Sequence, residues 1–167
     1  MMAIAGALAM NCATALAISP YAYVPSNDLG TNTFSVVDLS TKTTVGQPVV
    51  VDLDGTTTGT TTSFFGVAVS PTTGMLFISD DGDTESVFQI DTRLIGTATN
   101  PTVKQYVVGS DPHGLAVDPS GKHVYVAQFG NAAVAIIDTS KTSAAAVTQI
   151  DFSNLSGLSA AERSTSS

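Results

Sequence analysis

His113 is the residue whose type and setting best suit chemistry, because a neutral imidazole can serve as a base or as a metal ligand. It stands between Pro112 and Gly114 at the start of an apolar run. The competing interpretation is a contact between repeats. Phe65 holds the equivalent place in an earlier copy of the same segment, whereas a ring of metal ligands would repeat a polar residue. The equivalence with Phe65 favours a contact between repeats. If this segment has a catalytic role, His113 is the residue that would carry it.

Carboxylates are concentrated in the segment Asp80-Asp-Gly-Asp-Thr-Glu85. Hard oxygen donors of this kind suit calcium, which makes Asp80, Asp81 and Asp83 the candidate metal ligands. The segment lacks the alternating acids that precede the glycine of an EF-hand loop, and a solvated acidic loop explains the same residues. We therefore expect no cofactor, with calcium as the alternative.

The other reactive residues form no recognised catalytic pattern. His123 is the second histidine and Cys12 the single cysteine, so the sequence has neither a zinc pattern nor an intrachain disulfide. It contains no Gly-x-Ser-x-Gly nucleophile elbow, phosphate loop or dinucleotide fingerprint. The 14 acidic residues against 6 basic ones give a net charge of −8, without the clustered Lys and Arg of a nucleic-acid-binding surface.

The candidate residues belong to a segment that the chain repeats without a gap. Phe65-Gly-Val-Ala-Val-Ser-Pro-Thr-Thr-Gly-Met-Leu-Phe-Ile-Ser79 returns 48 residues later as His113-Gly-Leu-Ala-Val-Asp-Pro-Ser-Gly-Lys-His-Val-Tyr-Val-Ala127. Each copy continues through a polar loop into another apolar run, which ends at Asp91 or Asp138. Period-two alternation and Pro/Gly turns predict a strand, a turn, a strand, a loop and a strand. Repetition at this spacing usually fixes the architecture.

An eroded third copy precedes these two, and Asp38 is its equivalent of Asp91 and Asp138. Because each of these aspartates ends an apolar strand, we predict that they start turns rather than act as catalysts. The predicted fold is all-β, with a repeat region over residues 18–160. It holds three four-stranded units at about 18–53, 64–108 and 113–152. Val49–Leu53 is the predicted fourth strand of the first unit.

The two ends of the sequence differ from the repeats. Residues 1–17 are small and apolar and finish in Ala15-Leu-Ala17, which is typical of a signal peptide; a degenerate inner strand is the alternative. Residues 161–167 are polar and predict a disordered tail. Residues 1–17 are too short and too interrupted by polar residues for a good membrane span. The low share of charged residues and the abundant Thr and Ser, together with the predicted signal peptide, favour an extracytoplasmic protein, whether secreted, periplasmic or on the cell surface.

The run from Val107 to Ala127, with its continuation to Asp138, resembles the YVTN-type β-propeller repeat. It is also similar to blades of lactonase-type seven-bladed propellers. The match is good over residues 103–140, fair over 64–95 and poor over 15–53. The resemblance implies blades of four antiparallel strands, with Gly66 and Gly114 at the start of inner strands, where backbones crowd toward the axis.

The resemblance also implies a ligand face. It is formed by the loops that enter each first strand and by the loops between second and third strands. The predicted residues of this face are Phe65, Asp80, Asp81, Asp83, Asp111, His113, Gln128 and Asn131.

About three blades are fewer than the roughly four to eight of a closed propeller, so we expect a partial ring or one completed by oligomerisation. The expected partners are further propeller blades from the same or another chain, for example in a homodimer, with no nucleic acid and no membrane span. The favoured function is a non-enzymatic binding or interaction module. The alternative is a lactonase-like propeller hydrolase, in which His113 with Asp80, Asp81 or Asp111 opens a sugar lactone.

Overall fold

The computed structural model describes residues 21–26, 32–51, 62–95, 103–141 and 144–152. The strands within these residues are β1 (Tyr21–Pro25), β2 (Thr33–Asp38), β3 (Thr43–Thr44), β4 (Val49–Val50), β5 (Phe64–Val69), β6 (Met75–Asp80), β7 (Ser86–Asp91), β8 (Val103–Val107), β9 (Pro112–Val117), β10 (His123–Gln128), β11 (Ala133–Asp138) and β12 (Val147–Asp151). Short 3-10 helices at Thr92–Leu94 and Ala144–Ala146 precede β8 and β12. Neither helix is long and apolar enough to cross a membrane. The predictions for residues 1–17 and 161–167 lie outside the described residues.

The strands form three antiparallel sheets of four strands each, which confirms the predicted all-β fold class. In the second and third sheets, each strand pairs with its neighbour in sequence, from β5 to β8 and from β9 to β12. In the first sheet β1 pairs with β2, and both β3 and β4 pair with the other edge of β2. We name the sheets blade 1 (β1–β4), blade 2 (β5–β8) and blade 3 (β9–β12).

The outer strand of blade 1 differs from the prediction of one strand over Val49–Leu53. Its place is shared by β3 and β4, which pair with opposite ends of β2. Between them, Gly46 has a φ of +68°, a left-handed conformation that glycine adopts without a steric penalty. Pro48 has no N–H to donate to a neighbouring strand. These two residues interrupt the ladder and split the strand.

Two layers of apolar side chains hold the three blades together. Because successive side chains of a strand point to opposite faces, blade 2 contacts blade 1 with one set and blade 3 with the other. Leu76 and Ile78 pack with Phe34 of blade 1, and Phe77 between them packs with Val124 of blade 3. Leu76, Phe77 and Ile78 are fully buried, so both faces of blade 2 are covered.

The aspartates at the ends of equivalent strands begin turns, as predicted. Each carboxylate accepts a hydrogen bond from the backbone N–H two residues later, at 2.7 Å for Asp38, 3.0 Å for Asp91 and 3.1 Å for Asp138. Hydrogen bonds from Ser140 and Lys141 lower the pKa of Asp138 to about 2. These carboxylates therefore terminate strands and hold the chain reversals that lead into the outer strand of the same blade.

Candidate functional site

A β-bulge at the start of each inner strand positions one ring side chain at the end of its blade. In blade 2 the register between β5 and β6 shifts around Phe65 and Gly66. In blade 3 the register between β9 and β10 shifts in the same way around His113 and Gly114. Bulges redirect side chains and are frequent next to functional sites. The repeated bulge gives Phe65 and His113 equivalent places in neighbouring blades.

The bulge of blade 2 needs glycine because the next blade packs against it. A Cβ atom on Gly66 would lie 2.1 Å from the backbone oxygen of His113. The Ser79 hydroxyl fixes this contact, since it donates to the His113 oxygen at 2.5 Å and accepts from the Gly66 N–H at 2.8 Å. A Cβ on Gly114 would meet none of the described residues within 4 Å. The crowding predicted for both glycines therefore occurs only at Gly66.

Three rings stack where blades 2 and 3 meet. The imidazole centroid of His113 lies 4.2 Å from the ring of Phe65 and 5.3 Å from that of Phe129, with interplanar angles of 11° and 5°. Phe129 follows β10, and its N–H donates to the Asp111 backbone oxygen at 2.9 Å. Stacked aromatic pairs contribute about 0.5–1.5 kcal/mol each, so both phenyl rings hold the imidazole in place. Phe129 is 78% exposed, which leaves much of its ring accessible to a ligand.

Asp81 makes the polar contact of the imidazole. Its Oδ2 lies 3.2 Å from Nε2 of His113, whereas its Oδ1 is buried and has no hydrogen-bond partner among the described residues. Burial raises the pKa of the Asp81 carboxyl, the hydrogen bond with His113 opposes this rise, and the adjacent Asp111 carboxyl adds to it. The net effect is a pKa above the ordinary value, chiefly because burial disfavours the charged carboxylate.

Asp111 is held beside Asp81 by an unusual loop. Its backbone φ is +50°, in the left-handed region that aspartate adopts more readily than most residues. A Cβ on Gly130 would lie 2.6 Å from Asp111 Oδ2, so the loop after β10 packs closely against this carboxylate. We call Phe65, Asp81, Asp111, His113 and Phe129 the aromatic–acidic cluster. It offers stacking surface, hydrogen-bond acceptors and an imidazole–carboxylate pair.

Asp80 and Gln128 are expected on the ligand face, but the structure buries both, with exposures of 0% and 3%. They hold equivalent places at the ends of β6 and β10. Asp80 Oδ1 accepts hydrogen bonds from the N–H groups of Ser63 at 2.7 Å and Gly82 at 3.1 Å. The Gln128 amide donates to the Val108 backbone oxygen. Both side chains hold loops through these hydrogen bonds. Because both are buried, a ligand on that face cannot contact them.

The predicted calcium loop is held together by its own hydrogen bonds. Both oxygens of Asp80 are engaged, Oδ2 by the hydroxyl of Thr84. Asp83 is exposed, and Asp81 belongs to the aromatic–acidic cluster. Among the residues that the structure describes, no group of three or more His, Cys, Asp or Glu side chains could hold a metal ion. Calcium at Asp80, Asp81 and Asp83 stays a prediction from the sequence alone.

Sequence reasoning missed Phe129, although the repeat contained a signal for it. The offset of 48 residues makes Phe129 the equivalent of Asp81, so both copies place a cluster residue directly after the second strand. Asn131 is exposed in the same loop as Phe129. His123 lies at the other end of β10, where its Nδ1 is 3.2 Å from Asp118 Oδ2. The structure therefore separates the two histidines.

Solved structures with a similar fold include two proteins described by lactonase names. A periplasmic gluconolactonase of Pseudomonas aeruginosa is 14% identical, with a TM-score of 0.59, over 78% of this chain and 36% of that one. A protein of Bacteroides fragilis assigned as a 6-phosphogluconolactonase is 16% identical, with a TM-score of 0.54, over 79% and 34%. The hydrazine synthase of Kuenenia stuttgartiensis is 24% identical, with a TM-score of 0.52, over 72% and 29%.

No protein-family model matches the chain, and no curated protein matches it in sequence. At these identities the structural matches show the fold alone: three blades of a β-propeller. The chain spans about a third of the length of the structures that it matches.

Proposed function

We propose that the chain is a non-enzymatic binding module of YVTN-like propeller blades that binds a ligand at the aromatic–acidic cluster. The observation that carries this proposal is the stack of His113 between Phe65 and the largely exposed Phe129. An exposed phenyl ring that is fixed by stacking offers apolar surface with little conformational entropy left to lose on binding. The cluster therefore combines a rigid platform with adjacent hydrogen-bond acceptors.

The charges of the cluster favour a neutral, hydroxyl-rich ligand such as a sugar ring. The carboxylates of Asp81 and Asp111 can accept hydrogen bonds from hydroxyl groups. An anionic sugar acid would be repelled by both carboxylates and by the net charge of −8. Apolar C–H groups of a sugar ring would lie against Phe129.

Saturation-transfer NMR with D-glucose and D-gluconate as probes tests this proposal. We expect transfer to glucose, little transfer to gluconate, and loss of the glucose signal in Phe129→Ala. The matched control is Phe152→Ala, because Phe152 is another exposed phenylalanine that lies after β12. Equal glucose signals in the two variants, or a stronger signal for gluconate, would contradict binding at this cluster.

An extracytoplasmic location is part of the proposal. It is supported by the sequence of residues 1–17 and by the periplasmic gluconolactonase among the similar structures. Cell fractionation with and without residues 1–17 tests it. We expect the full chain outside the cytoplasm and the shortened chain inside, and cytoplasmic recovery of both would contradict the location.

Lactone hydrolysis is the second candidate function, and the Asp81–His113 pair favours it. A carboxylate 3.2 Å from Nε2 orients an imidazole for general-base work. In this reaction His113 would take a proton from water while the water oxygen bonds to the lactone carbonyl carbon. The ring C–O bond would then break, and the leaving oxygen would receive the proton to give an open hydroxy acid.

Hydrolysis of glucono-1,5-lactone above the spontaneous rate, with and without EDTA, separates the two functions. If the chain catalyses this hydrolysis through His113, the His113→Ala variant should lose the rate above the spontaneous one. His123→Ala should keep it, because His123 has the same kind of contact with Asp118 at 3.2 Å, away from the cluster. The binding module predicts no rate above background in any of these proteins. An added rate that EDTA abolishes would indicate a metal-assisted reaction instead.

A further inference from the structure

The face of blade 3 that points away from blade 2 is apolar, and none of the described residues covers it. We call it the open face of blade 3. Its residues are Gly114, Ala116, Tyr125, Ala127, Val134 and Ile150. Tyr125 is 42% exposed and Ile150 46%, and a shallow depression of about 330 Å³ lies over the inner strands. Large side chains that alternate regularly toward solvent on two or more strands indicate a missing contact.

The repeat shows what kind of surface covers such a face. The equivalents of Tyr125, Val134 and Ile150 in blade 2 are Phe77, Val87 and Tyr106, because the strand registers correspond. Those three residues are 0%, 0% and 3% exposed, and they pack against blade 3. The same positions are therefore buried where a further blade is described and exposed where the described residues include none.

The packing around the two equivalent glycines also differs with the presence of a neighbouring blade. Gly66 of blade 2 is crowded by the His113 carbonyl of blade 3, whereas its equivalent Gly114 meets none of the described residues within 4 Å. Glycine at position 114 has no steric reason within one copy of the described chain.

Blade 1 carries the complementary surface. Leu76 and Ile78 of blade 2 pack toward blade 1, and Val124 and Val126 of blade 3 pack toward blade 2. The strand registers give the equivalents in blade 1 as Ala22 and Val24 on β1, with Ser35 and Val37 beside them on β2. Val24 is 50% exposed. This surface, the open face of blade 1, lacks a preceding blade among the described residues.

We propose that the open face of blade 3 binds the open face of blade 1 in a second copy of this chain. The contact is head to tail, since each copy contributes a different face. Two such contacts related by a twofold axis would close a ring of six blades, within the range of about four to eight for closed propellers. Closure would bury Tyr125 and Val24 as Phe77 and Ile78 are buried now.

Multi-angle light scattering and sedimentation equilibrium of the full chain test the proposal. We expect twice the mass of one chain, with dissociation on dilution. Tyr125→Glu and Val24→Glu should each weaken the dimer at least tenfold, because either change damages both contacts of the ring. Leu39→Glu is the matched control, since Leu39 is 51% exposed in the turn after β2, away from both open faces.

A mixture of the two variants distinguishes head-to-tail contact from pairing of like faces. Tyr125→Glu keeps an intact blade 1 face and Val24→Glu an intact blade 3 face, so their mixture should form an open dimer that neither forms alone. Circular dichroism verifies the fold, and Ile150→Glu replaces Tyr125→Glu if that variant unfolds. A monomer at all concentrations, or a dimer sensitive to Tyr125→Glu but not to Val24→Glu, would overturn the proposal.

Discussion

Alanine at Gly66 should destabilise the fold much more than alanine at Gly114, although the two glycines are the same residue of the repeat. The added methyl at position 66 would lie 2.1 Å from the His113 oxygen, and a backbone carbonyl inside a packed strand cannot move aside freely. Blades 2 and 3 must separate locally to admit it. At position 114 the methyl would meet none of the described residues within 4 Å.

The expected loss at Gly66 has two parts. Overpacking of a well-packed contact costs about 1–3 kcal/mol. Displacing the His113 carbonyl also weakens its hydrogen bond with Ser79, which contributes about 1 kcal/mol. The unfolding free energy should therefore fall by about 2–4 kcal/mol, and Tm by about 2–4 °C for each kcal/mol. Ser79→Ala removes the hydroxyl without adding volume and should cost only about 1 kcal/mol.

Urea unfolding followed by far-ultraviolet circular dichroism measures these differences. The chains are compared at a concentration where each is monomeric, so that a second copy at Gly114 does not contribute. Gly114→Ala should change the unfolding free energy by less than about 0.5 kcal/mol, as surface substitutions usually do. Equal losses in the two glycine variants, or an unchanged Gly66→Ala, would refute the packing argument.

Three further predictions concern the carboxylates. Asp80→Ala should lower the unfolding free energy by about 2–4 kcal/mol, because it leaves the buried N–H of Ser63 without its acceptor. Asp83→Ala, at an exposed position, should lower it less in the same urea titration. Equal losses in the two variants would contradict this prediction. The pKa of Asp138 is lowered to about 2, so the stabilisation that its carboxylate gives the fold is complete above the unfolded pKa of about 3.9 and is lost as pH falls toward 2. Over this range of pH, the Tm of Asp138→Asn should therefore change less than the Tm of the wild type. The pKa of Asp81 is raised, so its contribution to the stability of the fold is present below about pH 3.9 and is lost as pH rises through the raised pKa. The Tm of Asp81→Asn at pH 7 should therefore match or exceed that of the wild type. A lower Tm would argue against this prediction.

Much of the fold follows from the sequence because strand formation depends on local patterns. The alternation around Phe77 and Tyr125 and the turn residues between strands predict the second and third blades at about 64–108 and 113–152, and the observed strands span 64–107 and 112–151. Blade 1 was harder to predict, since its outer strand is split around Gly46 and no second copy of that interruption exists in the other blades. The repeat supplied the architecture where its copies agree, and the error lies where one copy differs.

The candidate site could be predicted only in part. His113, Phe65, Asp81 and Asp111 are named by the repeat and by the loops that it predicts, and the structure brings them together. Phe129 was not predicted because its equivalence to Asp81 in the repeat does not show that it stacks on His113, which depends on the tertiary structure. Asp80 was predicted on the exposed ligand face, but it is buried. Its hydrogen bonds to the N–H groups of Ser63 and Gly82 form only when the fold brings these loops together.

The sequence by itself determined the strands, their grouping into three units and the equivalence of residues between units, because these properties depend on period-two alternation and on repetition along one chain. Only the tertiary structure decided what each equivalent residue does. Gly66 and Gly114, or Phe77 and Tyr125, are alike in sequence and differ in surroundings. The physical reason is that burial and steric crowding are set by the neighbouring blade, which local sequence cannot specify.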